Sequence, residues 1–270
     1  MYHMKYENGC ERQGKGMQKI RMIATDLDGT LLRRDKTISE YTADVLRRLR
    51  EKGIIFAVAT ARPARTMAED LGFLPIDAGV FHNGAAVFAG GRRIGGWGIE
   101  NGGSIVRSVL AKRPESRICL ESGEILYANF DAGEIWRGIS YVPTQDFSEA
   151  DGKIADKLII EADTIEKVRS YDAFLPEGVY SQLCEGRLAL CMHREATKPG
   201  GIRLIADHFG IGMHEIAAFG DDHNDIAMLS ACGAGIAVGN AIDEVKRAAD
   251  HIALSNEEDG VARWIEENIL

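Results

Sequence analysis

Two carboxylates, Asp26 and Asp28, stand two positions apart directly after a short apolar segment that covers residues 19–25. In a chain that leaves a strand, residues two apart project the same way, and Gly29 lets the backbone turn sharply after them. Two close carboxylates can bind Mg²⁺ as hard oxygen ligands, or can act as a nucleophile paired with an acid. An Asp-Gly turn with solvated side chains shows the same local pattern, so other residues must decide between these interpretations.

Two further polar residues stand where a strand ends or a helix begins. Thr60 follows the continuously apolar residues 54–59, and a hydroxyl at that place can donate a hydrogen bond to a phosphate oxygen. Lys198 precedes Pro199 at the start of a predicted helix. An ammonium group there can neutralise a transferring phosphoryl group or hold a nucleophilic carboxylate. Taken alone, a threonine helix cap and a solvated lysine explain the same two residues.

A third group follows the strand predicted at 215–219, where the sequence from position 220 to 225 is Gly-Asp-Asp-His-Asn-Asp. Three aspartates within six residues repel one another unless a cation or hydrogen bonds compensate their charge. Asp221 and Asp225 are therefore candidates for a metal site, and the Asn224 amide is a candidate for a contact with phosphate or with a carboxylate. As an isolated acidic loop, the same residues would usually face solvent.

These groups fall at the ends of elements that alternate between strand and helix. Strands are predicted at 19–25, 54–59 and 78–81, helices begin near Ser39 and Pro63, and the alternation returns after position 199. This order is typical of an α/β fold whose core is a Rossmann-like parallel sheet, with catalytic groups at the carboxyl ends of its strands. The glycine-rich residues between the two halves predict an inserted α+β domain. We divide the chain into a polar tail (1–18), the core (19–84 and 196–270) and the insertion (85–195).

The four groups together resemble the motifs of the haloacid dehalogenase superfamily. Asp-Leu-Asp-Gly-Thr at 26–30 is similar to its first motif, and the second, third and fourth are matched by Thr60, Lys198 and the sequence GDDHNDIAM at 220–228. Two shorter segments, at 83–85 (Asn-Gly-Ala) and 239–241 (Gly-Asn-Ala), resemble the Cof-type subfamily, also termed IIB, whose members carry a C2 cap. The resemblance implies a core with this fold and a cap formed by the insertion.

The resemblance also implies a Mg²⁺-dependent phosphatase. Asp26 would attack phosphorus and form an aspartyl-phosphate, while Asp28 would protonate the leaving oxygen and then take a proton from water. Mg²⁺ would be held by Asp26, by the main-chain carbonyl of Asp28 and by Asp221. Asp225 would either complete the metal shell or orient metal-bound waters. A dehalogenase does not need the second acid, so Asp28 favours phosphoryl transfer.

The remaining motif residues are implied to hold the phosphoryl oxygens: the Leu27 amide, Thr60, Lys198 and Asn224. The cap would close over the core, exclude water and select the substrate. The favoured function is hydrolysis of phosphate monoesters of sugars or other small metabolites. A phosphotransferase or phosphomutase on the same fold, and a non-catalytic ligand-sensing regulator, are the alternatives. Pure sensing needs no pair of nucleophile and acid, which argues against the last of these.

Composition narrows the class of partner. The chain of 270 residues carries 32 Lys and Arg against 41 Asp and Glu, a formal charge of −9, which disfavours nucleic acid as a partner. The sequence contains no apolar run near the ~18–20 residues that cross a bilayer, and its polar N-terminus lacks the apolar segment of a secretory signal. Five cysteines without a C-x-x-C pair are typical of free thiols in a reducing compartment. We therefore expect a cytoplasmic enzyme that acts on a small phosphorylated metabolite, and the sequence does not indicate its oligomeric state.

Overall fold

A computed structural model of the protein describes residues 19–67, 74–184 and 186–270. The predicted polar tail at 1–18 and the end of the helix expected after Pro63 lie outside these described residues. The described residues form two β-sheets, one of eight strands and one of six. We call the larger sheet and the helices packed on it the core, and the smaller sheet with its helices the cap.

The secondary structure follows the chain from one sheet to the other and back. The strands are β1 (Met22–Thr25), β2 (Ile55–Ala59), β3 (Ala78–Phe81), β4 (Ala86–Ala89), β5 (Arg92–Gly95), β6 (Ile118–Ser122), β7 (Ile125–Ala128), β8 (Val142–Pro143), β9 (Lys157–Glu161), β10 (Val179–Cys184), β11 (Leu188–His193), β12 (Ile216–Gly220), β13 (Ala234–Ala237) and β14 (His251–Ile252). The described helices are α1 (Glu40–Glu51), α2 (Gly102–Lys112), α3 (Ile165–Arg169), α4 (Lys198–Phe209), α5 (Ile226–Ala231), α6 (Asp243–Ala248) and α7 (Gly260–Asn268). None of these helices is both long and apolar enough to cross a membrane.

The core sheet has the strand order β14-β13-β12-β1-β2-β3-β4-β5. Its first six strands are parallel, whereas β4 and β5 pair antiparallel at one edge. The central strand β1 is buried along its whole length, as expected for a parallel strand covered by helices on both faces. The α/β fold predicted from the sequence is confirmed. Because β12, β1 and β2 are neighbours, the residues that follow them meet at one edge of the sheet.

The helix that follows β1 shows how local sequence sets this architecture. Ser39 accepts a hydrogen bond from the Thr42 N–H and so caps α1, as its position before the apolar pattern predicts. The buried face of α1 carries Val45, Leu46 and Leu49, which recur at helical spacing and pack in the core. Burial of this face fixes α1 against the sheet and against α7.

The cap is an α+β unit, as the mixed pattern of the insertion predicts. Its strand order is β10-β11-β9-β6-β7-β8, and α2 and α3 pack on the same apolar cluster as strands β6 and β9. Strands β4 and β5 fall inside the predicted 85–195 insertion but belong to the core sheet, where β4 pairs with β3 and β5 pairs with β4. We therefore propose that the cap begins after Gly95. The division of the chain into domains stays a prediction.

Two passages of the chain connect the core with the cap, near Trp97 and near Thr197, and Gly84 touches both. The Trp97 N–H donates to the Gly84 carbonyl oxygen over 3.1 Å. A Cβ atom on Gly84 would lie 2.6 Å from the Thr197 carbonyl oxygen, and its φ of +122° also requires glycine. The two passages therefore lie side by side.

Ion pairs join the core to the cap elsewhere. Arg65 of the core donates to both carboxylate oxygens of Glu121 on β6, whose side chain is buried. Arg93 on β5 lies 3.0 Å from the buried carboxylate of Asp156, which precedes β9. Buried carboxylates need such partners, because a charge without one is costly away from water.

Candidate active site

Asp26 lies directly after β1, where the strand order places it at the middle of the core sheet. Its N–H donates to the carbonyl oxygen of Phe219 on the neighbouring strand β12 over 3.0 Å, so the backbone is fixed by the sheet. The side chain is 10% exposed. A buried carboxylate in this position must have a cationic partner close by.

That partner is Lys198, the first residue of α4. Thr197 caps the helix and Pro199 occupies its first turn, so the start of α4 is fixed by local sequence. The Lys198 Nζ atom lies 2.6 Å from Asp26 Oδ1 and 2.6 Å from Asp225 Oδ1. Burial alone would lower the pKa of Lys198, but the two carboxylates outweigh it and raise that pKa above its ordinary value. The ammonium group thus stays charged between two acids.

Asp225 organises the acidic loop after β12. Its second oxygen, Oδ2, accepts the N–H groups of Asp221 over 3.0 Å and Asp222 over 3.2 Å. Both oxygens of Asp225 are therefore engaged, one by Lys198 and one by the loop backbone, and the side chain is fully buried. This arrangement compensates the charge repulsion that the three aspartates of the loop would otherwise feel.

Asp221 is drawn toward the first motif by a hydroxyl and by a close backbone. Thr30 Oγ1 donates to Asp221 Oδ1 over 2.6 Å. Gly29 has a φ of +83°, and a Cβ atom there would lie 2.4 Å from Asp221 Oδ2. Glycine is thus required twice at this position, for the left-handed turn and for the approach of the carboxylate.

The carboxylates of Asp26, Asp221 and Asp225 offer oxygen atoms that all lie within 4.8 Å of one another. Burial raises the pKa of Asp26 to about 7, against the opposing charge of Lys198. Burial likewise raises the pKa of Asp221 above its ordinary value. Among the described residues, neither Asp26 nor Asp221 uses its second carboxylate oxygen in a hydrogen bond. Two free oxygens within one acidic cluster are the donor set that a hard divalent cation prefers, so these residues fit a Mg²⁺ ion.

Asp28 lies apart from this cluster and faces two cations. Arg62 donates to it through Nε and Nη2, each over 2.6 Å, and Lys36 Nζ lies 2.6 Å from its Oδ1. Although partial burial opposes it, the hydrogen bonds from Arg62 and Lys36 hold the pKa of Asp28 below its ordinary value. The side chain is 38% exposed, far more than that of Asp26, so Asp28 lies nearer the mouth of the site.

The predicted phosphate-binding residues follow the same neighbouring strands as these acids, apart from Lys198 at the start of α4. The Leu27 N–H has no acceptor among the residues that the structure describes. Thr60 is buried and accepts the Arg62 N–H on its Oγ1 atom, so its own hydroxyl proton can point elsewhere. Asn224 is exposed, and its amide donates to Asn83 Oδ1 over 3.4 Å. Backbone amide, hydroxyl, ammonium and carboxamide donors are thus available near the acidic cluster.

Comparison of the chain with known proteins identifies its family. The profile of the haloacid dehalogenase-like hydrolases matches residues 23–265, almost the whole chain. The chain belongs to this family. It is an enzyme of the phosphatase type, in the Cof-type, IIB branch of the haloacid dehalogenase-like hydrolases.

Three similar proteins illustrate the relationship. The Bacillus subtilis 5-amino-6-(5-phospho-D-ribitylamino)uracil phosphatase YitU is 30% identical over 266 residues, which cover 91% of this chain and 96% of YitU. The structure of BT1666, a phosphatase of Bacteroides thetaiotaomicron, matches with a TM-score of 0.77 at 25% identity, covering 96% of this chain and 98% of the other. The sugar phosphatase BT4131, of subclass IIB, matches with a TM-score of 0.72 at 25% identity, covering 92% and 98%.

Several contacts of this hydrolase involve residues to which the sequence analysis gave no role. Arg62 and Lys36 bind Asp28, Thr30 binds Asp221, and Asn83 binds Asn224. Thr30 and Asn83 belong to segments that the motif comparison had already singled out, so a role for them could have been inferred. Lys36 carries no comparable signal, because it is one of 32 basic residues in the chain.

Proposed function

We propose that this hydrolase is a Mg²⁺-dependent phosphatase that cleaves phosphate monoesters of sugars or other small metabolites through an aspartyl-phosphate on Asp26. One observation carries the proposal: a buried carboxylate at the end of β1 is held by an ammonium group, with a second free carboxylate oxygen beside it on Asp221. Asp26, Asp221 and the main-chain carbonyl of Asp28 would hold the ion. When bound, Mg²⁺ would reduce the repulsion between the nucleophile and the anionic phosphoryl group.

In the first step, an oxygen of Asp26 bonds to phosphorus and the bond from phosphorus to the leaving oxygen breaks. Lys198 fixes the direction of the Asp26 carboxylate through Oδ1, and the two carboxylate oxygens would divide the roles of attacking phosphorus and holding the ion. A proton on Asp28 passes to the leaving oxygen, so the product departs as a neutral alcohol. The exposed position of Asp28 suits this role, because the leaving group must extend out of the buried cluster.

In the second step, a water oxygen bonds to phosphorus and the bond from phosphorus to Asp26 breaks. The electrons of that bond return to the Asp26 carboxylate, and the water proton passes to Asp28. Inorganic phosphate leaves, and the protonated Asp28 is ready for the next cycle. Throughout both steps, the phosphoryl oxygens would be held by the Leu27 N–H, Thr60, Lys198 and Asn224.

Asp225 acts in this proposal through other groups rather than as a direct metal ligand. Its two oxygens already accept hydrogen bonds from Lys198 and from two backbone amides of the acidic loop. It thereby holds Lys198 against Asp26 and fixes the backbone that presents Asp221.

The substrate class is proposed from the family branch. YitU, the relative from Bacillus subtilis, is named for a ribityl phosphate, and a phosphorylated polyol is chemically close to a sugar phosphate. The test is a screen of phosphorylated sugars, polyols and nucleotides with Mg²⁺, in which release of inorganic phosphate is measured. We expect one chemical group to be hydrolysed well above the rest, and no turnover of any member would contradict the proposal.

The two alternatives give different results in the same assay. A phosphotransferase or phosphomutase would pass the phosphoryl group to a second hydroxyl, so that a new phosphate ester appears without an equal amount of inorganic phosphate. A ligand-sensing regulator would bind members of the panel without turnover. We favour hydrolysis because Asp26 and Asp28 supply both a nucleophile and an acid, which sensing does not require.

The acidic loop offers a matched pair of variants for the metal site. Asp221→Asn removes a charged ligand and should lower kcat/KM about 10³-fold at a fixed Mg²⁺ concentration. Asp222→Asn should stay within about threefold of wild type, because the Asp222 side chain is exposed and accepts only backbone N–H groups of its own loop, which an asparagine oxygen can also accept. Steady-state kinetics with p-nitrophenyl phosphate across a Mg²⁺ titration measures both. Similar losses in the two variants would contradict the assignment of Asp221.

Metal affinity should depend on pH around neutrality. In the metal-free protein, burial raises the pKa of Asp26 to about 7, so a proton competes with Mg²⁺ for this carboxylate below that pH. The affinity should be nearly constant from about pH 8 upward and should fall about tenfold for each pH unit below about pH 7. Calorimetric titration of the protein with MgCl₂ at several pH values measures this dependence. An affinity that stays constant down to about pH 5 would show that Asp26 does not bind the ion.

A further inference from the structure

Two cationic side chains of different kinds, those of Arg62 and Lys36, bind Asp28. The Arg62 guanidinium makes two hydrogen bonds of 2.6 Å, one to each carboxylate oxygen, whereas Lys36 makes one. The Arg62 side chain is 19% exposed and that of Lys36 is 56% exposed. A two-point contact from a planar guanidinium fixes both the place and the direction of a carboxylate, which a single ammonium contact does not. Arg62 is therefore the partner that orients Asp28.

The backbone of Arg62 is itself anchored to the core sheet. Its N–H donates to Thr60 Oγ1 over 3.1 Å, and its carbonyl oxygen accepts the His82 N–H over 3.1 Å. Thr60 follows β2 and His82 follows β3, so Arg62 is tied to the carboxyl ends of two neighbouring strands. The guanidinium is thus presented to Asp28 from a rigid part of the fold.

The turn that carries Lys36 supports the same interpretation. Lys36 has a φ of +67°, in the left-handed region, which is unfavourable for a residue other than glycine. Hydrogen bonds across the turn compensate this cost: the Arg33 N–H donates to the Thr37 carbonyl oxygen, and Asp35 accepts the Thr37 N–H. A strained backbone at a functional site is typically held for a purpose, and here it brings a second cation to Asp28.

We propose that Arg62 is a positioning residue that holds the Asp28 carboxylate to accept the proton of the attacking water. The inference rests on the proposed function and deepens its second step. In that step the water oxygen bonds to phosphorus, the bond from phosphorus to the Asp26 oxygen breaks, and the water proton moves to Asp28. The two hydrogen bonds from the guanidinium set the orientation in which the Asp28 carboxylate meets this proton.

The test uses p-nitrophenyl phosphate, because nitrophenolate leaves without needing a proton from Asp28. In Arg62→Gln, formation of the aspartyl-phosphate should stay fast while its hydrolysis slows. We expect a burst of nitrophenolate that approaches one equivalent per active site, followed by a steady-state rate about 10- to 100-fold below wild type. Intact-mass analysis of acid-quenched protein should then show one phosphoryl group. Arg62→Lys keeps the positive charge but can make only one contact. Its steady-state rate should lie between those of wild type and Arg62→Gln.

The controls separate this role from a structural one and from failure of the proposed function. Arg47→Gln removes an exposed arginine that pairs with Asp44 on α1, and it should behave as wild type. If Arg62→Gln slows both steps together and gives no burst, or leaves both unchanged, the positioning role is wrong. If the proposed function is wrong instead, the wild-type protein itself releases no nitrophenolate with Mg²⁺, whatever the state of Arg62.

Discussion

Replacing Asp26 with asparagine should abolish Mg²⁺-dependent hydrolysis of p-nitrophenyl phosphate, with a loss of at least about 10⁴-fold in kcat. The amide keeps the size of the side chain and can still accept the Lys198 hydrogen bond, but it cannot form the phosphoryl ester. The fold should remain intact, because the substitution removes a buried charge whose pKa burial already raises to about 7. Stopped-time assays and thermal unfolding of the variant measure the two effects separately.

Asp44→Asn is the matched control for this prediction. Asp44 is a partly exposed aspartate on α1 that pairs with Arg47, and its loss should change activity less than about twofold. Full activity in Asp26→Asn would exclude Asp26 as the nucleophile. A variant that loses activity only because it unfolds would be recognised by a lowered melting temperature in the absence of substrate.

Replacing Lys198 with methionine should have the largest effect on stability. The ammonium group is the shared partner of two buried carboxylates, those of Asp26 and Asp225, and its removal leaves their charges uncompensated. Breaking a buried ion pair from one side costs about 3–5 kcal/mol in the free energy of unfolding. The loss should be greatest near pH 8 in EDTA, and urea unfolding monitored by circular dichroism measures it.

The same variant should recover stability as the pH falls. Burial raises the folded pKa of Asp26 above the unfolded value of about 3.9 even beside the lysine, and the loss of that cation removes the opposing effect. The folded variant therefore binds more protons than the unfolded chain between these limits. Stability should therefore rise as the pH is lowered from about 8 toward about 5. Lys167→Met, which removes an exposed lysine near Asp163, should change the free energy of unfolding by less than about 0.5 kcal/mol at either pH. Equal stability of Lys198→Met and wild type near pH 8 would contradict the stabilising role of Lys198 between Asp26 and Asp225.

Much of the fold follows from short-range patterns in the chain. The apolar segments before Asp26, Thr60 and Asp221 are strands β1, β2 and β12, and these are neighbours in the sheet. Parallel strands end at a common edge, so the pattern placed these groups at one edge of the sheet, and the family resemblance was what paired Asp26 with Asp221. The roles of these residues remain a prediction, but their proximity is a feature of the structure.

The parts that sequence alone did not predict depend on contacts between distant segments. Lys36 and Arg62 both contact Asp28 only because a strained turn and the segment after β2 lie close together in the fold. The hydrophobic pattern of the sequence does not predict such a contact between distant segments. The hairpin of β4 and β5 is similarly ambiguous. Its short strands can extend either sheet, and it is the pairing of β4 with β3 that joins it to the core.

The contact of Gly84 with both chain passages restricts how the cap can move relative to the core. Two covalent connections that run side by side behave as one hinge, so relative motion of the two halves reduces to a swing about a single corner. The pairs Arg65–Glu121 and Arg93–Asp156 would separate during such a swing and become hydrated. The charged groups of these pairs become hydrated when they separate. A cap held by ion pairs therefore opens at a smaller cost in free energy than a cap held by an apolar interface of equal area.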